Sequence, residues 1–169
     1  MAKPATALKQ RTIDLLNQRG INLEDIADLV IFLQKNFIKD LSPELALDSV
    51  QTVLSKREVQ NAIITGIQLD IAAENHTLLE PLQTIVERDE GLYGVDETMA
   101  LSIVDIYGSI GFTNYGYIDR VKPGILAKLN AHEPGIIHTF LDDLVGAIAA
   151  AAAARLAHDD QGEQDTPFK

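Results

Sequence analysis

The chain reads as an all-α protein, a single-domain multi-helix bundle built around an Ala-rich C-terminal helix. Three observations predict it. Apolar residues recur at spacings of three and four along most of the 169 residues, which gathers them on one helical face. Helix-start signals precede several of these stretches. No stretch alternates apolar and polar residues over the length of a strand, and no repeat or linker divides the chain.

Thr6 to Gln18 makes the first helix, with Leu8, Leu15 and Leu16 on one side. Asn22, with Asp25 three residues on, forms a capping box for the second. Its buried stripe is Ile26, Leu29, Val30, Leu33 and Phe37. Ser42-Pro43 starts the third, a cap residue followed by proline in the first turn, with Ala46, Val50, Val53 and Leu54 inward. Ser55-Lys56-Arg57-Glu58 reads as a capping box for a fourth helix that runs to Glu74. On it Glu58, Asn61, Thr65 and Gln68 form a polar stripe, either a solvent face or a wall of an acidic cleft.

Thr77 caps a fifth helix with Pro81 near its start, and Gly91 and Gly94 separate it from a sixth, Val95 to Tyr107. Gly108 and Gly111 end that helix and open a turn-rich loop, FTNYGYIDRVKP. Pro123 starts a short helix ending near Asn130, and the last helix spans Ile136 to Ala157. The expected domain is residues 1–157. Residues 158–169, HDDQGEQDTPFK, read as an acidic, disordered tail.

Composition excludes several functions. The net charge of −11 and the lack of any basic patch with interleaved aromatics argue against nucleic acid as a partner. No Cys is present, which removes disulfides and thiolate chemistry. The longest run without polar side chains, Leu144 to Ala154, falls short of the roughly 20 residues that span a bilayer. Lys3, Lys9, Arg11 and Asp14 interrupt the start as no signal peptide would be. The expectation is a cytoplasmic protein without transmembrane segments. Met1 to Gly20 carries four basic residues against one acid, so this helix either docks on the bundle through its leucines or touches an anionic membrane peripherally.

The informative residues are acids. Asp142 and Asp143 stand side by side in IIHTFLDDLVGAIAAAAAA, an almost wholly apolar segment. Two buried carboxylates cost several kcal/mol unless a cation, hydrogen bonds or a metal compensates them. A metal with a phosphate substrate is one such arrangement. The wet face of an ordinary amphipathic helix is the other reading. Asp96 and Glu97 open a helix, where acids also favour the macrodipole for purely structural reasons. Asp119 and Lys122 are either site residues or a turn residue and a surface charge. His132 and His138 are further candidate ligands, and Asp105 is a peripheral group.

Three segments carry these residues in order: Gly94-Val95-Asp96-Glu97, then Ile118-Asp119-Arg120-Val121-Lys122-Pro123, then Gly135 followed by Leu141-Asp142-Asp143-Leu144-Val145-Gly146. Together they resemble the motifs of the bacterial phosphatidylglycerophosphatase A family: an Asp-Glu pair, an Asp-x-x-Lys-Pro segment and an Asp-Asp pair followed by Gly. The resemblance covers roughly Gly94 to Ala150. It implies a magnesium-dependent phosphatase, with Mn2+ as a substitute ion, that removes the terminal phosphate of phosphatidylglycerol phosphate. Asp96, Glu97, Asp142 and Asp143 would then be metal ligands. Asp119 would complete the site or activate water, and Lys122 would meet the phosphate of this ester, whether lipid or soluble. Unlike family members, which are membrane proteins, this chain lacks spanning segments, a Gly- and Pro-rich signature before residue 94, and a second Gly at Ile136. A different class of function stays open beside the enzyme: a non-catalytic helical interaction protein, as a homo-oligomer, keeping the family scaffold.

Overall fold

The computed structural model describes residues 4–164, and among them there are helices and turns but no strands. In chain order the helices are α1 (Pro4–Gln18), α2 (Leu23–Gln34), α3 (Pro43–Val53), α4 (Arg57–Glu74), α5 (Leu82–Glu87), α6 (Val95–Val104), α7 (Gly108–Val121), α8 (Ile125–Leu129) and α9 (Leu141–Gln164). A 3-10 turn at Asp105–Tyr107 joins α6 to α7.

The last helix is the axis. α2, α3, α4, α6, α7 and α8 all pack on α9, and every residue from Phe140 to Ala154 is buried. Alanine suits that position because its methyl group lets several neighbours approach together without loss of helix propensity. Approach is tightest at α4, where a methyl group on Gly66 would run into Leu144 Cδ1 and lie 3.1 Å from Phe140 Cβ.

Several local signals hold. Asn22 and Asp25 form the reciprocal capping box, and Ser42 caps α3 ahead of Pro43. Leu15 and Leu16 are buried as α1 docks on α4, so the basic N-terminal helix uses its leucines within the bundle. The polar stripe of α4 is a solvent face, with Glu58, Asn61, Thr65 and Gln68 all exposed.

Others are corrected. Ser55 caps nothing: its hydroxyl donates to Gln51 O, and α4 begins after Lys56 without a side-chain cap. The Thr77 hydroxyl likewise donates back to Ala72 O, and α5 begins only at Leu82. Phe37 lies beyond the end of α2 and is exposed. The expected loop FTNYGYIDRVKP is mostly helix, because α7 runs from Gly108 to Val121 and packs along α9. Gly111 is inside it, where a Cβ would lie only 3.0 Å from Val104 O; the glycine permits close packing against the preceding turn. The last helix starts at Leu141, five residues later than its apolar sequence suggests, and continues to Gln164, so helix covers the start of the expected tail. Residues 165–169 lie outside the described residues.

Candidate active site

Two helix beginnings meet two carboxylate pairs. Asp96 and Glu97 occupy the first turn of α6, after Gly94 at φ 75° as N-cap. Asp142 and Asp143 occupy the first turn of α9. Free backbone N–H groups and the macrodipole favour negative charge at both places, and one is used: the Asp143 N–H donates to Asp142 Oδ1 at 2.8 Å. α6 packs on α9, and the charge of Asp96 is felt at Asp143.

Lys122 reaches the same place from α7. It ends that helix in the left-handed conformation, φ 47° and ψ 57°, immediately before Pro123, which disfavours continued αR at this position. Its Nζ donates to Asp119 Oδ1 at 2.9 Å and to Asp142 Oδ2 at 3.2 Å. Asp119 therefore comes from the last turn of a helix and not from a loop. Burial alone would push the Lys122 ammonium down, but the hydrogen bond to Asp119 and the charge of Asp142 hold it above its ordinary value. Lys122 is a fixed cation.

The aspartates show the opposite strain. Asp142 and Asp143 are both nearly enclosed, and burial raises each; Asp143 rises further because Asp142, Asp96 and Asp119 all repel its charge. The pair favours holding one proton between them.

Sequence reasoning missed three acids. Asp89, just after α5, is half-buried and raised by burial and by Asp96, and it adds to the charge felt at Asp142; His132 Nε2 lies 3.9 Å from its carboxylate. Asp70 on α4 is fully buried, and its two oxygens accept the N–H groups of Phe140 and Leu141, each at 3.0 Å. Burial outweighs those bonds and lifts it to about 8. One turn on, Glu74 accepts the Ile137 N–H at 2.8 Å and pairs with Arg19, which also donates to Ile137 O. These α4 acids fix the strand of chain entering α9. Their signal in the sequence was position: Asp70 falls on the apolar side of α4, between Ile67 and Ala73.

Beside Asp142 opens a polar cleft of about 250 Å³, lined among others by Glu87, Asp89, His132, His138 and Thr139. His138 also faces Arg19, and burial with that guanidinium lowers its affinity for a proton. Among the described residues neither histidine joins a group of three that could hold a metal ion, and Asp105 lies exposed on the 3-10 turn.

A family model described as phosphatidylglycerophosphatase A matches residues 13–158. The chain belongs to the phosphatidylglycerophosphatase A family. The match extends well before Gly94, so the first half of the chain shares the family pattern too. Within the family it is 62% identical to the uncharacterized protein YutG of Bacillus subtilis, over 85% of this chain and 86% of that one. It is 52% identical to YpjQ of the same organism, over 91% and 86%. Its fold matches the crystal structure of the low temperature requirement C protein from Listeria monocytogenes at a TM-score of 0.90, with 61% identity over 92% of this chain and 98% of that one. No helix among the described residues of this family member is long and apolar enough to cross a membrane.

The donor set fits a hard divalent cation. The candidate donors are carboxylates, with Asp96, Asp142 and Asp143 buried and Glu97 exposed, and Lys122 is the cation that contacts Asp142. Among the described residues no three His, Asp or Glu side chains already enclose an ion position. Magnesium does not require such a cage, since it keeps several waters and binds through one or two carboxylates plus substrate phosphate.

Proposed function

We propose that this chain is a divalent-metal-dependent phosphatase of phosphate monoesters, with Mg2+ as the working ion, Mn2+ as a replacement and phosphatidylglycerol phosphate as the substrate. The observation that carries the reading is the buried Asp142–Asp143 pair at the start of α9 with Lys122 bonded to one member and to Asp119. Asp142 and Asp143 would hold the ion with Asp96, and Glu97 would bind one of its waters from the exposed side. A bound divalent ion supplies charge neutralisation and polarisation of the phosphoryl oxygens.

The rest is done by the chain. Lys122 Nζ binds a phosphoryl oxygen as a point charge. Asp119, more exposed than Asp142, would orient the attacking water, take its proton as the new P–O bond forms and return a proton to the leaving alkoxide oxygen as the bond to the alcohol breaks. The rigid attachment of residues 137–141 to Asp70 and Glu74 keeps the pair in place during that displacement. A protein of this form meets its lipid from the cytoplasm as a peripheral visitor.

A phosphatase screen of lipid and soluble esters, with and without Mg2+, tests the reading. Mg2+-dependent release of phosphate from phosphatidylglycerol phosphate, lost in Asp142→Asn, is expected. An intact fold without affinity for Mg2+ or Mn2+ overturns it in favour of the non-catalytic helical interaction protein.

A further inference from the structure

Two tyrosine hydroxyls, those of Tyr107 and Tyr115, are buried without a hydrogen-bond partner among the described residues. Their surroundings differ. Around Tyr107 the charged neighbour is Arg155, and the Lys56 ammonium lies 5.8 Å from its ring centroid. Around Tyr115 the neighbours are four carboxylates, Asp143 with the largest effect, then Asp119, Glu97 and Asp142.

The placement follows from two helices. On α7, Tyr115 and Asp119 are one turn apart and share a face. On α9, Gly146 lies one turn after Asp143, and a Cβ there would sit 3.9 Å from Tyr115 Cε2. The ring edge is therefore seated about 4.5 Å along the helix axis from Asp143. Tyr115 itself is only 6% exposed. A buried hydroxyl without a partner costs about 1–3 kcal/mol.

We infer that Tyr115 is a positioning residue of the acidic site, its hydroxyl donating toward the Asp143 carboxylate and holding it in its ligating orientation when a divalent cation is bound. The inference rests on the metal-dependent reading given above. Asp143 has no side-chain donor of its own: Lys122 bonds to Asp142 and Asp119, and the backbone N–H of Asp143 is taken by Asp142. A tyrosine serves where a lysine would not, because it orients a carboxylate without competing with the cation for its charge. A phenol is an ordinary hydrogen-bond donor at neutral pH. Groups that orient ligands from behind typically change metal affinity about 10- to 100-fold when removed.

The test compares Tyr115→Phe with Tyr107→Phe, the same chemical change at the other orphaned hydroxyl. Mn2+ binding to the full chain is followed by electron paramagnetic resonance, and the melting temperature is measured without metal. Tyr115→Phe is expected to weaken Mn2+ binding about tenfold with its metal-free melting temperature unchanged or raised, while Tyr107→Phe binds as the parent does. Equal Mn2+ affinity in the parent and Tyr115→Phe overturns the role of Tyr115 and leaves the metal site standing. A parent chain that binds no Mn2+ overturns both. Loss of affinity in both tyrosine variants alike also overturns the role, since it would report a general loosening of the fold.

Discussion

Lys122 Nζ stands 3.2 Å from Asp142 Oδ2, tying the last turn of α7 to the first turn of α9. This contact sets the resting state of the site: a cation already occupies one side of Asp142. Removing it leaves two carboxylates without their neutralising partner. Lys122→Ala is expected to lower phosphatase activity by about 10²–10³-fold, the usual loss when a donor to a phosphoryl or oxyanion charge is deleted. It should also cost about 1–2 kcal/mol of stability, discounted for the partial exposure of the pair. Denaturant melts of Lys122→Ala and of Lys122→Ala with Asp142→Asn decide the matter. The second variant should recover much of the loss.

The carboxylate pair predicts a trade between function and stability. Asp143→Asn removes a carboxyl whose ionisation burial and Asp142 both oppose, and with it the cost of taking up a proton on folding at neutral pH. Its metal-free melting temperature should rise, while the stabilisation that added Mg2+ is expected to give the parent by mass action should vanish. A variant that melts lower than the parent without metal, or keeps the Mg2+ response, would count against the assignment.

Asp70 gives a pH dependence of defined sign. Its pKa is raised from 3.8 to about 8 in the folded chain. The stability linked to its proton is fully present below the unfolded value and is lost as pH rises through the folded one. Asp70→Asn lacks that titration but leaves one of the N–H groups of Phe140 and Leu141 without an acceptor, a cost of about 1–3 kcal/mol. The variant should therefore be less stable than the parent near about pH 5, with the difference shrinking toward about pH 8. Glu74 works in a separate window: burial raises it, but Arg19 and the Ile137 N–H hold it below its ordinary value, so its contribution is lost only as pH falls through that lowered value. Urea melts across the range measure both.

Gly66→Ala tests the packing that brings α4 against α9. The added methyl group meets Leu144 Cδ1 and lies 3.1 Å from Phe140 Cβ. Leu144 can turn away, but Phe140 is attached where it stands, so a loss of about 1–3 kcal/mol is expected. The same substitution at Gly146 meets ordinary contacts and should change stability far less in the same thermal melt.

The bundle was legible because its evidence is local. Asn22, Ser42 and the runs Ile26 to Leu33 and Ala46 to Leu54 each signal helix within a few residues of themselves. The charge of Asp96 felt at Asp143 has no local signal, and only the family motifs brought these residues together in the sequence. What could not be read is what the tertiary fold supplies. The start of α9 is closed by Asp70, a residue on another helix, so no capping residue marks Leu141 in the sequence. Helix α7 contains Gly108, Gly111 and Gly116, which by propensity break helices; packing along α9 overrides them. Asp89 and Tyr115 belong to no paired motif, and only folding puts them near the pairs.

The alanines from Ala149 to Ala154 have no exposed surface and no rotamers. Neighbours on several sides therefore rest on a rod whose shape cannot be adjusted one side chain at a time. Growth by a single methylene at any of these positions has no free direction to go. The consequence reaches the far end of the rod: an enlarged residue near its middle must be answered by sliding or tilting the whole helix, which would carry Asp142 and Asp143 with it. Substitutions there, remote from every carboxylate, should register first as a change in the ion the protein prefers.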